Sequence, residues 1–170
     1  VQINQNSIIK EAKLSGINIF NKSSGKKLRG KVPKTLDKNL AWLTGLLIGD
    51  GNIRKNNTSV RFVAAPDIEK KIRKIVKKVF GVNVGSYSTG NTDKVKHVEI
   101  FSVLAIRFFE HIGVLRNKAK LRVPKFVFQS PADVVRAFLN GLFIADGYIP
   151  KKDVPYLTTA SYKLGEEVCA

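Results

Sequence analysis

Apolar residues recur along this chain at two periods, and the switching between them predicts an α+β fold. The clearest helical stretch is residues 66–80. There Ile68, Ile72, Ile75, Val76 and Val79 fall at i, i+4, i+7, i+8 and i+11, one face of an amphipathic helix. Pro66 and Asp67 open it, Gly81 ends it, and Lys70, Lys71, Arg73, Lys74, Lys77 and Lys78 supply a solvated face. Residues 60–65 read as a strand, with Arg61 and Phe62 on opposite faces. Residues 82–87 and 95–101 read as a hairpin around Thr89-Gly90-Asn91. Ser102 caps a helix carrying Leu104, Ile106, Phe108 and Ile112, ended by Gly113. Residues 130–133 open another helix, with Pro131 at its first turn. Ahead of all this, Ser7 could cap a short helix with Ile8, Ile9, Ala12 and Leu14, followed by a basic linker.

Two of the helical runs are copies of one pattern. Leu43-Thr44-Gly45-Leu46-Leu47-Ile48-Gly49-Asp50-Gly51 returns, 96 residues on, as Leu139-Asn140-Gly141-Leu142-Phe143-Ile144-Ala145-Asp146-Gly147. A repeat that long suits two copies of a domain half rather than a solenoid unit. Each copy places small residues four apart, Gly45 and Gly49 in the first, Gly141 and Ala145 in the second. Such residues share a helix face and let two backbones approach. A helical Gly costs ~1 kcal/mol against Ala, so its use in both copies predicts that the two helices pack along these faces.

Asp50 and Asp146 then end side by side, each at a helix C-terminus, where the macrodipole disfavours an anion. Gly51 and Gly147 read as the glycines that stop each helix. Two adjacent carboxylates repel unless one is protonated or a cation lies between them. Oxygen donors suit a hard divalent cation, Mg²⁺ first.

Charge narrows the partner. The chain of 170 residues, enough for one domain, carries 30 Lys+Arg against 13 Asp+Glu, a net charge of +17. That excess favours a polyanion, nucleic acid or an anionic membrane. No apolar run reaches the ~18 residues of a membrane-spanning helix and the N-terminus is polar, so nucleic acid in an intracellular, cytoplasmic setting is expected and no membrane. Cys169 is the sole cysteine, which excludes an internal disulfide and a cysteine-based zinc site. His97 and His111 lack metal-ligand spacing.

The doubled stretch resembles the signature of the LAGLIDADG, or dodecapeptide, homing endonucleases. In the second copy Leu139, Gly141, Leu142, Ile144, Ala145, Asp146 and Gly147 are of the consensus type or close to it. The resemblance runs from about Val32 to the C-terminus. It implies an αββαββα half repeated about a pseudo-two-fold axis, with one more strand after Asp50 than the pattern places. The expected organisation is a basic appendage over 1–36, a first half over 37–131, and the start of a second half over 132–170 that stops before its hairpin and last helix. A monomer when complete is implied, and this chain would need a complementing C-terminal segment. Because such enzymes are often embedded in inteins or introns, an excised endonuclease portion is one origin.

The implied chemistry is metal-dependent hydrolysis of double-stranded DNA, with Mg²⁺ or Mn²⁺ on Asp50 and Asp146. A lysine near the metal-bound water is also implied; Lys120 matches that position best and Lys118 second. The sheet of each half would lie in the major groove, with Arg61, Tyr87, Ser88, Lys94, Lys96 and Glu99 as base-reading candidates. The loop residues Arg54 and Lys55 would meet phosphate. An RNA-binding intron maturase, or a DNA-binding protein without catalysis, is the alternative on the same scaffold.

Overall fold

A computed structural model describes residues 30–54, 59–88, 95–114, 117–148, 150 and 154–170. The expected N-terminal helix and most of the basic linker, the hairpin turn, Lys55 and Lys94 lie outside these residues. The first half runs α1 (Lys38–Gly49), β1 (Asn52–Ile53), β2 (Val60–Ala64), α2 (Pro66–Phe80), β3 (Gly85–Ser88), β4 (Lys96–Ile100) and α3 (Val103–His111). A 3₁₀ turn (Lys118–Lys120) and α4 (Lys125–Phe128) lead to α5 (Ala132–Asp146), β5 (Gly147–Tyr148), β6 (Tyr156–Leu157) and α6 (Tyr162–Cys169).

The strands of the first half form an antiparallel sheet in the order β1-β2-β4-β3. Its inner face carries Val60, Phe62, Ala64, Val98 and Ile100, all buried, under the layer of helices. α2 packs against β2, β4 and α1. Its apolar stripe is the one expected from the sequence: Ile72, Ile75, Val76 and Val79 are buried. At its end Phe80 meets Phe108 and Phe109 of α3, with ring centroids 5.6 Å apart in each pair. Gly81 stops the helix at φ 69°, a left-handed conformation that glycine adopts without penalty. Ser102 caps α3 by accepting from the Ala105 amide.

The strand expected by resemblance after Asp50 is present as β1. Its two residues fall in an Asn-rich stretch that reads as a turn, and no alternation can show in so short a strand. α4 is likewise too short to show a period. Ser130 does not cap α5. Its hydroxyl donates to the Phe126 carbonyl and closes α4, and Pro131 takes the cap position of α5. Gly51 and Gly147 are not left-handed caps; Gly147 is extended at φ −91°, ψ 155°. They are glycine because a Cβ would overlap the Leu47 and Phe143 backbones one turn back.

The second half repeats the first at the same offset of 96 residues. Val60, the start of β2, corresponds to Tyr156, the start of β6; Pro66, the start of α2, corresponds to Tyr162, the start of α6. The sequence pattern alone suggests pairing Tyr156 with Phe62, two residues further along. α6 is tied to the first half: Arg122 and the Val123 amide both donate to Glu167, and the buried Ser161 hydroxyl donates to the Leu121 carbonyl at 2.6 Å. Val32 and Leu36, in the segment before α1, are also buried in the common core.

Candidate active site at the paired helix ends

α1 and α5 make the most extensive helix contact of the described fold, and glycine makes it possible. A Cβ on Gly45 would overlap the Phe138 carbonyl, one on Gly141 the Trp42 carbonyl, and one on Gly49 the Ala145 side chain. The expected interface of Gly45, Gly49, Gly141 and Ala145 is therefore the observed one. The Trp42 indole N–H donates to Asn140 Oδ1 at 3.0 Å and ties the helices across their seam. Asp50 caps α1, its amide bonded to the Leu46 carbonyl at 3.1 Å, and Asp146 is the last residue of α5. The Asp146 carboxyl carbon lies 3.4 Å from where a Gly49 Cβ would stand. Both carboxylates thus sit at one end of the helix pair.

Lys118 completes the cluster. Its Nζ donates to the Ile48 carbonyl at 2.7 Å and to the Gly49 carbonyl at 2.5 Å, two acceptors left over by the end of α1. Burial raises the Asp50 carboxyl above its ordinary value, with Lys118 opposing. Burial also raises Asp146, the charge of Asp50 raises it further, and Lys118 opposes. Burial lowers Lys118, while Asp146 and Asp50 hold its proton. Asp50 keeps an exposed edge, so the site is open to a ligand while crowded enough to raise its acid.

Lys120, first choice from the sequence, is exposed, whereas Lys118 of the same 3₁₀ turn is half-buried. Asn117 caps that turn, its side chain accepting from the Ala119 amide, and this orients Lys118 inward. Spacing to Pro124 favours Lys120; the turn-forming Asn117 is the signal that points to its neighbour. Among the described residues no three His, Cys, Asp or Glu gather. The donor set open to a ligand here is the two carboxylates, since the Ile48 and Gly49 carbonyls accept from Lys118. These are hard oxygens, which fit a Mg²⁺-type ion whose remaining positions take water or phosphate oxygen.

The outer sheet face sorts the base-reading candidates. The register Arg61↔Glu99↔Gly85 and Val63↔His97↔Tyr87 puts Arg61, Glu99 and Tyr87 on the open face. Ala64↔Lys96↔Ser88 puts Lys96 and Ser88 on the helix side, where Lys96 Nζ stands 3.6 Å from Glu69. Lys96 and Ser88 therefore do not share the face of Arg61. Glu99 is buried at 1% exposure and accepts from Arg61 Nε at 2.6 Å, Ser59 Oγ at 2.8 Å and Tyr87 OH at 2.8 Å. Arg54 is exposed and adds an ion pair at 3.7 Å. Burial alone would raise Glu99, but these hydrogen bonds hold it below its ordinary value. It anchors Arg61 and Tyr87 on that face and, being buried, does not itself project to the surface.

Residues 133–169 match the family model of a LAGLIDADG-like domain. A LAGLIDADG-like domain thus lies at residues 133–169 of this chain. The match covers α5 to α6, and the offset of 96 relates the first half to it. Stretches similar to this chain occur in proteins of different kinds. The chain is 32% identical over 126 residues to an A-type ATP synthase subunit of Pyrococcus abyssi, covering 73% of this chain and 12% of that one. It is 30% identical over 129 residues to a replication factor C small subunit of Methanocaldococcus jannaschii (75% and 7%). It is 32% identical over 136 residues to a DNA polymerase of Thermococcus hydrothermalis (74% and 8%). The chain thus spans about a tenth of the length of these relatives. A crystal structure of I-DmoI with its nicked target DNA and manganese is similar at a TM-score of 0.44 and 18% identity, over 65% of this chain and 62% of that one.

Proposed function

We propose that this chain is the nuclease module of a homing endonuclease, hydrolysing double-stranded DNA at the paired helix ends. The observation that carries this reading is the placement of Asp50, Asp146 and Lys118 in one open cluster at one end of two glycine-packed helices. A purely structural pair of acids would not be left crowded together at C-termini, where the dipole already disfavours both.

Asp50 and Asp146 would hold Mg²⁺ or Mn²⁺, which supplies an activated water and charge stabilisation for the leaving 3′ oxygen. Lys118, anchored on the Ile48 and Gly49 carbonyls, keeps a cation facing both acids and the incoming phosphate. The helix packing fixes the spacing of the acids, one from each half, so that each half addresses one strand. Arg61 and Tyr87, held by Glu99, present donors from the outer sheet face to base edges, and Arg54 at its border meets phosphate. The net charge of +17 favours the duplex as partner.

Embedding in a host protein is the accompanying proposal. The similar segment occupies 12%, 7% and 8% of proteins named for three different activities. A segment common to such different proteins fits an inserted module better than a part of each host's own machinery.

The test is incubation of the chain with a randomised duplex library and Mg²⁺, followed by sequencing of new ends. The expected result is a set of related sites cut on both strands, absent with Asp50→Asn or Asp146→Asn. Duplex binding without cutting in either Mg²⁺ or Mn²⁺ would overturn the nuclease reading.

A further inference from the structure

The positive charge of the described fold does not sit mainly on the face that would read DNA. On the open face of the sheet, Arg54 and Arg61 are both engaged by the buried Glu99. The larger unneutralised group lies on the opposite side of the molecule, on the outer surface of α2. Two of the six basic residues there are engaged within the fold: Arg73 pairs with Glu69 at 2.8 Å, and Lys71 stacks 3.9 Å from the Trp42 ring. Lys70, Lys74, Lys77 and Lys78 are exposed. Spaced at i, i+4, i+7 and i+8, they form a stripe about 12 Å long at 1.5 Å per residue. Duplex DNA carries one charge per about 1.7 Å of axis, so the stripe faces roughly seven phosphate charges.

The stripe continues into a concave site. Lys78 shares a cavity of about 340 Å³ with Lys31 and Lys34, the segment that enters α1, and with Thr35 and Asp37. Gly30 and Gly81 set the chain crossing that puts Lys31 beside the end of α2. The Lys31 amide donates to the Phe80 carbonyl at 2.8 Å, and a Cβ on Gly30 would overlap that oxygen. Lysines from two separate segments therefore converge around one hollow. Asp37 is committed to capping α1, accepting from the Leu40 amide at 2.9 Å.

We propose that this helical back face binds a second segment of double-stranded DNA while the sheet face holds the first. The chain could then pass between duplexes by direct transfer instead of full release. The inference rests on DNA being the partner of the sheet face. Its occupant is set by charge complementarity: a row of exposed ammonium groups without aromatic interleaving suits duplex phosphates rather than unstacked bases.

The experiment measures the dissociation rate of the full chain from a fluorescent duplex, without divalent metal, as unlabelled duplex is added. The comparison protein carries Lys70→Gln, Lys74→Gln, Lys77→Gln and Lys78→Gln. Glutamine keeps helix propensity close to that of lysine, and an unchanged melting temperature verifies folding. Direct transfer predicts a rate that rises at least about threefold over a tenfold rise in competitor for the unaltered chain and stays flat for the variant. Both should share one rate at vanishing competitor. A flat rate in the unaltered chain, or the same rise in both proteins, overturns the proposal. Acceleration by RNA and not by DNA overturns it as well, since the occupant would then be RNA. Failure of the unaltered chain to bind the labelled duplex at all is a different result, and refutes the DNA reading of the sheet face itself.

Discussion

Lys118 reaches from the 3₁₀ turn after α3 to donate a 2.7 Å hydrogen bond to the carbonyl of Ile48, two residues before Asp50. One cation thus satisfies the end of α1 and faces both acids. Lys118→Met removes charge-assisted bonds worth roughly 1.5–3 kcal/mol when fully formed, discounted here because the group is only partly buried. The expected loss is about 1 kcal/mol in urea denaturation and at least about 100-fold in cleavage, the scale of removing one group that stabilises developing charge. Lys120→Met should change neither. Equal effects of the two substitutions in plasmid cleavage would show that the orientation of the turn is unimportant.

The acid pair links stability to pH. Both carboxyls are raised above the ordinary 3.8, so folding favours their protonated forms. Their stabilising contribution is complete below 3.8 and is lost as pH rises through the raised values. Asp146→Asn removes one charge of the pair. The variant should therefore gain melting temperature over the unaltered chain as pH climbs from about 4 to 7. Mg²⁺ at neutral pH should raise the unaltered chain and leave an Asp50→Asn, Asp146→Asn double variant unmoved. A melting-temperature difference independent of both pH and Mg²⁺ would contradict the pairing.

Gly45 and Thr44 make a neighbouring contrast in α1. Gly45→Val forces a side chain onto the Phe138 carbonyl and the Leu142 amide, backbone that cannot give way cheaply. Overpacking costs ~1–3 kcal/mol or more, and the upper end is expected. Thr44 is also buried, and its hydroxyl donates to the Leu40 carbonyl at 2.8 Å, one turn back. Thr44→Val keeps the shape and loses a bond that the helix does not need, so about 1 kcal/mol or less is expected. Thermal unfolding of the two variants checks the order, and DNA cleavage should fall only in the first.

Glu99 and Arg61 should respond unequally. Arg61→Ala leaves Glu99 buried with fewer partners, an expected cost of about 1–3 kcal/mol. Glu99→Gln keeps the packing and frees Arg61 and Arg54. It should strengthen binding to arbitrary duplex and weaken discrimination between sites. Because Glu99 is held below 4.5, the stability it brings is present above that value and is lost as pH falls through its folded value. Fluorescence anisotropy against selected and arbitrary duplexes measures the first effect, and acid unfolding of Glu99→Gln beside the unaltered chain the second.

The repeat, the helices and the acids are legible in one dimension. Periodicity and end signals are local, so α2, α3 and the two signature helices can be read from Ile, Leu, Gly and Pro positions alone. Gly45 and Gly141 announce the helix pair because glycine inside a helix is costly without a close neighbour. Other features depend on several segments meeting, and only the folded chain settles them. β1 exists because β2 pairs with it, and a two-residue strand has no period of its own. The inward turn of Lys118 rather than Lys120 follows from how Asn117 caps one short turn against the end of α1. Strand register separates Lys96 and Ser88 from Arg61 and Tyr87, since a slip of one residue shifts every side chain to the other face. Glu99 reads in one dimension as a polar strand residue suited to base contact. Only when Ser59, Arg61 and Tyr87 converge on it does its burial make it the anchor of that face.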